Sequence, residues 1–135
     1  MKFLLDTHVI IWVLTDDPHL SDEVRLRIAS PANLVYYSIA SLWEIAIKNQ
    51  KNPDKCPYNE TEIADYCAEA GYYPMDIQSQ HIHALRTLKV KEDRYPANMD
   101  PFDRMLLAQA KTEGCRFLTH DKAFENYDEP SVFLF

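Results

Sequence analysis

The sequence predicts one α/β domain over residues 1–135, a three-layer α/β/α sandwich with helices on both faces of a mostly parallel sheet of four to five strands. Short apolar runs rich in β-formers alternate along the chain with longer segments of helical periodicity. Strands separated by helices need crossover connections, which favour parallel pairing. The chain has 135 residues, 47% of them hydrophobic, which suits a single domain with a real core.

In the first half of the chain we predict two strands and three helices. These are a strand at 2–5, a helix through 9–14, a helix from 21 to 30, a strand at 34–38 and a helix at 39–50. In the last helix four apolar residues have helical spacing and are expected to be buried, namely Leu42, Trp43, Ala46 and Ile47. Residues 51–59 contain two prolines and are expected to form a linker.

In the second half, Asn59 or Thr61 is expected to cap a helix that runs to Ala70 and stops at Gly71. The remaining elements are predicted as a strand at 72–76, a helix at 79–88, an irregular loop at 89–99, a helix at 102–113, a strand at 116–119 and a final edge strand at 131–135.

Composition and charge argue against several classes of protein. The formal net charge is −7, which disfavours a protein that coats nucleic acid by bulk electrostatics but not one that grips a phosphodiester through bound cations. No apolar run reaches the ~20 residues of a membrane span. Asp6 and His8 interrupt the apolar N-terminus and no cleavage site follows, so we expect no signal peptide. Cys56, Cys67 and Cys115 share no CxxC spacing and are expected to be free thiols in the cytoplasm.

Four acidic residues are the main candidates for chemistry. Asp6 and Asp121 each follow a predicted strand, while Glu44 and Asp103 lie in the first turns of predicted helices. In open α/β sheets, ligands bind beyond the carboxyl ends of the strands. Carboxylates gathered there repel one another unless a cation binds. Hard oxygen donors suit Mg²⁺ or Mn²⁺, so the sequence predicts a divalent metal site and a metal-dependent enzyme.

Each acid also has a structural interpretation. Asp6 can cap the helix that begins near Thr7, and Asp121 can be a turn residue. Asp100, followed by Pro101, has the pattern of a helix cap. What favours a site is the placement of several acids at the carboxyl ends of different strands.

Glu44 has a structural alternative of its own, an ion pair with Lys48 four residues later. Apolar neighbours on both sides, however, suggest that Glu44 faces an interior crevice, where an unpaired carboxylate is costly.

Other kinds of site have little support. The chain contains two glycines, too few for a glycine-rich phosphate loop, and it has no GxSxG motif. His81 and His83 lie two residues apart in a predicted helix and so point to different faces. A haloacid-dehalogenase phosphatase has a second Asp two residues after the first, where this chain has His8.

Four sequence blocks resemble the signature blocks of the PIN domain family, in its branch of VapC-type toxins from bacterial toxin–antitoxin pairs. The blocks are LLDTHVIIW, SIASLWEIAIK, DPFDRMLLAQA and FLTHDKAF, and they cover residues 3 to about 124 in the family's order. The resemblance implies an acidic quartet, one additional acid and three neighbouring hydroxyl positions; these are Asp6, Glu44, Asp103 and Asp121, then Asp100, then Thr7, Ser41 and Thr119.

The resemblance implies a metal-dependent ribonuclease that is usually a dimer and is often silenced by an antitoxin. Asp6 and Asp103 are expected to bind Mg²⁺ or Mn²⁺ directly, with Glu44 and Asp121 binding directly or through water and Asp100 as a further candidate ligand. Candidates for substrate contact are the three hydroxyl residues together with Lys48, Arg104 and Lys122, although each cation could equally be a solvated or paired surface charge.

The sequence departs from the family pattern at two places. The branch commonly has His where this chain has Asn98, and the stretch from 51 to 58 lacks the usual Gly-Lys-Leu run. Trp12 and Tyr37 are expected to be exposed aromatics that line a dimer contact or an antitoxin groove. Two alternatives remain, a catalytically silent PIN-like interaction module, which the intact quartet disfavours, and a small-molecule phosphatase.

Overall fold

The computed structural model describes residues 1–91 and 100–135 and contains a five-stranded sheet with helices on both faces. The strands are β1 (Lys2–Leu5), β2 (Leu34–Ser38), β3 (Tyr73–Met75), β4 (Arg116–Thr119) and β5 (Val132–Leu134). The α-helices are α1 (Thr7–Thr15), α2 (Asp22–Ala29), α3 (Ile39–Lys51), α4 (Glu60–Glu69), α5 (Ser79–Ala84) and α6 (Pro101–Glu113), with 3₁₀ helices at Leu85–Thr87 and Lys122–Asn126.

The sheet has the strand order β3-β2-β1-β4-β5, and all four strand pairs are parallel. The central strand β1 pairs with β2 on one side and with β4 on the other, with Leu5 opposite Leu118. Because every pair is parallel, the carboxyl ends of the strands meet at one edge of the sheet. The predicted α/β fold is confirmed.

Side chains alternate between the two faces of the sheet, as the two-residue period of a strand requires. Phe3 and Leu5 pack into one core with residues of α1, α2, α3 and α4. Leu4 points the other way and packs with residues of α6 and the 3₁₀ helix after β4. The predicted three-layer arrangement follows from these two cores.

Helix boundaries largely agree with the sequence. Asn59 forms a capping box with Glu62, which confirms Asn59 rather than Thr61 as the cap of α4. Gly114 ends α6 with φ of 68°, a left-handed conformation that glycine adopts without strain. The helix predicted at 79–88 is shorter, because its α-helical part ends at Ala84 and a 3₁₀ turn follows.

Two expectations about burial are wrong. Trp43 is 61% exposed and Ile47 is 42% exposed, since α3 turns a partly polar face that includes Ser41 and Glu44 toward the interior. Leu42 and Ala46 are only partly buried. Conversely, Tyr37 is 6% exposed because it lies on β2, an inner strand, and packs into the core.

The predicted loop at 89–99 and the departure at Asn98 fall mainly on residues 92–99, which lie outside the described residues. All three cysteines are free thiols. Within residues 1–91 and 100–135, every helix is too short or too polar to cross a bilayer.

Candidate active site

Asp6 lies directly after β1 and is 3% exposed. Its Oδ1 accepts a hydrogen bond from the Thr7 N–H at 2.7 Å, so it caps α1 as one interpretation of the sequence predicted. Its Oδ2 accepts a hydrogen bond from the Thr119 hydroxyl at 2.7 Å. Burial raises the pKa of Asp6 and Glu44 adds to this effect, against the opposing influences of His8, Thr119 and Thr7. A role as a helix cap explains the hydrogen bond to Thr7. It does not explain why this buried acid lies close to Glu44, another acid.

The hydroxyl groups of Thr7, Ser41 and Thr119 form hydrogen bonds around Asp6. The Thr119 oxygen that donates to Asp6 also accepts a hydrogen bond from the Asp121 N–H at 3.0 Å. On the other side the Thr7 hydroxyl donates to the Ser41 oxygen at 2.9 Å, linking α1 to α3. The hydroxyl positions implied by the resemblance therefore connect the segments that carry the acids.

Glu44 lies on the buried face of α3 and is 9% exposed. Its Oε2 accepts a hydrogen bond from Lys48 Nζ at 2.8 Å. Burial lowers the pKa of Lys48, but the hydrogen bond and charge of Glu44 outweigh burial, and the pKa is raised. Both interpretations of Glu44 thus hold, because it forms the i,i+4 pair and also faces the interior.

Asp100 and Asp103 lie at the start of α6 and differ in their surroundings. Asp100 is exposed and caps the helix, its Oδ1 accepting from the N–H groups of Phe102 at 2.8 Å and Asp103 at 3.2 Å. Asp103 lies one turn into the helix and is partly buried. In the described parts of the chain, its carboxyl group accepts no hydrogen bond.

The other four acids all act electrostatically on Asp103. Burial raises its pKa to about 7, with further contributions from the negative charges of Asp6, Asp100, Asp121 and Glu44, in decreasing order. An electrostatic effect of this kind requires proximity. The five predicted acids are therefore near enough to one another to interact electrostatically at the carboxyl edge of the sheet, and we call this region the acidic cleft.

The donor set of this cleft fits a hard divalent cation, since it consists of carboxylate and hydroxyl oxygens. The carboxylates are not, however, already arranged as a metal-binding site. Within residues 1–91 and 100–135, no three His, Cys, Asp or Glu side chains converge closely enough to hold a metal ion. Several of the acids already accept a hydrogen bond from the protein. Glu44 accepts one from Lys48, Asp121 accepts one from the Ala123 N–H at 2.9 Å, and Asp100 accepts one from the first turn of α6. Asp103 provides the carboxylate with least competition from protein partners.

The remaining candidates for substrate contact lie at different distances from the cleft. Lys48 reaches it through Glu44. Arg104 donates from Nη2 to the Leu85 carbonyl at 2.8 Å and also interacts with Tyr127. Lys122 is exposed in the 3₁₀ helix after Asp121. The roles of these three residues in substrate binding stay predictions.

One neighbour of the acids was missed from the sequence. His8 Nδ1 is 3.5 Å from Asp6 Oδ2, and its side chain is 35% exposed. His8 Nε2 lies 3.4 Å from the backbone N–H of His120, a residue of the loop after β4. Trp12 packs edge-on against both imidazoles, at ring-centroid distances of 4.8 and 5.3 Å. The sequence places His8 beside Asp6, but only the pairing of β1 with β4 reveals this cluster.

A second missed feature is a buried polar link behind the cleft. The Ser38 hydroxyl, at the end of β2, donates to Gln109 Oε1 in α6 at 2.5 Å, and both residues are fully buried. Gln109 Nε2 also donates to the Asp76 carbonyl at 3.4 Å. This link fixes the helix that carries Asp103 against the sheet, a positioning role that the sequence did not show.

Solved structures with the same fold belong to toxin–antitoxin systems. A chain of VapBC2 from Rickettsia felis, solved bound to a promoter DNA fragment, aligns with a TM-score of 0.71 and 16% identity over 100% of this chain and 98% of that one. DNA-bound VapBC from Salmonella typhimurium gives 0.64 and 20%, with coverage of 100% and 97%. VapC20 from Mycobacterium tuberculosis, described as a sarcin-ricin-loop-cleaving toxin, gives 0.59 and 16%, with coverage of 91% and 92%.

Among curated proteins none matches the sequence. The PIN domain family matches residues 3–130, a segment that contains all five acids. A match over nearly the whole sequence, together with the fold and the acidic cleft, shows that the chain belongs to the PIN domain family.

Proposed function

We propose that this protein is a metal-dependent endoribonuclease that hydrolyses RNA phosphodiester bonds, and that it acts as the toxin of a toxin–antitoxin pair. The observation that carries the proposal is the partly buried Asp103 carboxyl, whose pKa is raised to about 7 by burial and by four acidic neighbours. Repulsion within a cluster of this kind lowers the stability of the fold unless a cation binds. Carboxyl groups with shifted pKa values in a cleft are typical of functional sites.

Asp6 and Asp103 would hold the cation, with Glu44, Asp121 and Asp100 around them. When bound, Mg²⁺ or Mn²⁺ supplies Lewis-acid chemistry, lowering the pKa of water and offsetting charge on the phosphate. Thr119 keeps Asp6 oriented through its 2.7 Å hydrogen bond. Asp103 would have to lose its proton in order to hold the cation, so cation affinity would rise with pH through about 7.

The phosphodiester is an anion and must approach an acidic cleft. Lys48 is positioned to help, because its ammonium group lies 2.8 Å from Glu44 and its side chain is 61% exposed. It can keep this ion pair while facing an incoming phosphate. Lys122, exposed one residue after Asp121, is the second candidate.

A surface feature supports a protein partner, either an antitoxin or a second copy of this chain, and the structural relatives support the antitoxin. Trp43, Ile47 and Ile77 are exposed and line an apolar cavity of 390 Å³ together with Phe102. Exposed apolar patches of this kind mark protein contacts. Structures with this fold include toxin–antitoxin complexes. This patch replaces Tyr37, which is buried, and Trp12, which is partly buried against the core, as the candidate interaction surface.

The function is tested by incubating the purified protein with single-stranded and structured RNA, with Mn²⁺ or Mg²⁺ and with EDTA. Cleavage is expected only with metal, and Asp103→Asn is expected to abolish it. Asp65→Asn is the matched control, because it makes the same change on the exposed face of α4. Metal-independent cleavage, or wild-type rates in Asp103→Asn, would contradict the proposed site. A protein that cleaves no RNA yet binds its antitoxin would be an interaction module instead.

A further inference from the structure

The His8 imidazole lies between Asp6 and the loop after β4, a position that the acids alone do not explain. Its Nδ1 lies 3.5 Å from Asp6 Oδ2. Its Nε2 accepts a hydrogen bond from the His120 N–H at 3.4 Å. Both ring nitrogens therefore face a polar partner, and the two partners differ in kind, since a carboxylate attracts a donor and an N–H needs an acceptor.

These two partners select one tautomer of His8. A neutral imidazole has one N–H and one acceptor nitrogen, and the hydrogen bond made by one nitrogen fixes the role of the other. Because Nε2 accepts from a backbone N–H, Nε2 carries no proton. The proton is then on Nδ1, the nitrogen that faces Asp6 Oδ2. His8 thus presents a donor, rather than a lone pair, to the buried carboxylate.

The ring of His8 is held in this orientation by its own helix and by β4. Trp12 follows His8 by four residues on α1, a spacing at which helical side chains meet, and packs edge-on against it at a centroid distance of 4.8 Å. Trp12 contacts the His120 ring in the same way, at 5.3 Å. His120 follows Thr119, whose hydroxyl donates to Asp6 Oδ2. The end of β4 therefore fixes both donors beside the same carboxylate oxygen.

The contacts of Asp6 give its two oxygens different roles. A carboxylate has about four acceptor positions, two on each oxygen. On Oδ2 one is occupied by the Thr119 hydroxyl at 2.7 Å and the other faces His8 at 3.5 Å. On Oδ1 the Thr7 N–H occupies one at 2.7 Å. Among the residues that the structure describes, this leaves an acceptor position open on Oδ1.

We propose that His8 is a positioning residue of the cation site: as the Nδ1–H tautomer it holds Asp6 Oδ2 and leaves Oδ1 as the oxygen available to the divalent cation. His8 does not itself bind the cation, because Nε2 is engaged by His120 and Nδ1 carries the proton. Loss of an outer partner of this kind typically lowers metal affinity about 10- to 100-fold. This inference rests on the proposed metal-dependent function and adds the residue that orients one of its ligands.

The alternative is a purely structural role, in which His8 only ties α1 to the loop after β4 through Nε2. Two substitutions separate these roles by the reach of their side chains. In His8→Asn the amide lies near the former Nδ1 and can donate to Asp6, but it is too short to reach His120. In His8→Gln the amide extends to the former Nε2 and can accept from His120, but it places no donor at Asp6. His83→Gln is the control, because His83 is exposed on α5.

The first measurement is Mn²⁺ affinity by titration calorimetry at pH 8, beside melting temperatures in EDTA. His8→Gln is expected to bind Mn²⁺ about 10-fold or more weakly than wild type, whereas His8→Asn and the control should stay within a few-fold. The melting temperatures should have the opposite order, with His8→Asn below His8→Gln, because asparagine loses the link to His120. Wild-type affinity in His8→Gln, or equal losses in both His8 variants, would overturn the inference and leave the metal site intact.

The second measurement needs no metal. Imidazole ¹⁵N chemical shifts of the wild-type protein in EDTA at pH 8 report which nitrogen carries the proton, and the His8 signals are those missing from His8→Asn. A proton on Nδ1 alone is expected, and any other pattern would overturn the inference even if Mn²⁺ binds. A wild-type protein that shows this tautomer but binds no Mn²⁺ would overturn the proposed metal site, and the positioning role with it.

Discussion

Replacing Asp103 with asparagine should change the stability of the metal-free protein in a pH-dependent way. The pKa of Asp103 is raised from an ordinary 3.8 to about 7, first by burial and then by the negative charges around it. Between these values the folded protein keeps a proton that the unfolded chain releases. Folding stability contributed by this group is therefore present at low pH and lost as pH rises toward about 7.

The size of the effect follows from the same values. A pKa difference of one corresponds to about 1.4 kcal/mol, so the full difference sets an upper bound of about 4 kcal/mol. Asp103 is partly exposed, and solvent screening reduces this to about 1–2 kcal/mol. Asparagine is similar in shape and carries no charge. For a chain of this length, Asp103→Asn should raise the melting temperature by about 3–8 °C near pH 8, and by roughly a third of that near pH 5, where the unfolded chain has already released its proton.

The assay is thermal unfolding in EDTA at both pH values, beside a cleavage assay in Mn²⁺. Asp65→Asn serves as the control and should change neither quantity, because Asp65 is exposed on α4. The expected combination is a variant that is more stable but inactive. Asp103→Asn that is less stable than wild type at pH 8 would show that the carboxyl is not repelled by its neighbours, and this result would refute the electrostatic argument.

Four further predictions concern the cleft and its surroundings. Millimolar Mn²⁺ should raise the melting temperature of wild type at pH 8 but much less that of Asp103→Asn, because only a native-state ligand stabilises the fold; equal shifts would count against the metal site. Asp100→Asn should retain the helix cap, while Asp100→Ala should lose about 0.5–2 kcal/mol in denaturant unfolding; equal losses would contradict the role of the cap. Thr119→Val should weaken Mn²⁺ binding about 10- to 100-fold, and Thr119→Ser should restore it if the hydrogen bond to Asp6 is what matters. Trp43→Ser should lower the dimer fraction in light scattering, whereas a wild-type protein that stays monomeric at high concentration would remove the dimer from the proposal.

The order and type of the main elements could be predicted because local signals and tertiary packing agree there. Apolar runs such as Phe3 to Leu5 form buried strands, and Asn59 and Gly114 mark helix ends by capping chemistry. Burial on α3 could not be predicted from apolar spacing alone. That helix turns Glu44 inward and leaves Trp43 exposed, since the interior at this place is a polar cleft.

The proximity of the candidate acids could be predicted from the sequence because parallel strands bring their carboxyl ends together. Their partners could not. The contact between His8 and His120 joins positions 112 residues apart in the chain, and the link from Ser38 to Gln109 spans 71. No local pattern signals such pairs, because they depend on which strands are neighbours and on how α6 lies against the sheet.

The central position of β1 has a consequence for when the protein can become active. Asp6 receives its hydrogen bond from Thr119, and its own N–H donates to the Leu118 carbonyl at 3.0 Å. During synthesis Asp6 is made more than a hundred residues before Thr119, from which it is separated by 113 positions. A nascent chain therefore holds only part of the cleft. The surroundings of Asp6 can be completed only after Leu118 and Thr119 have been synthesised and β4 has paired with β1.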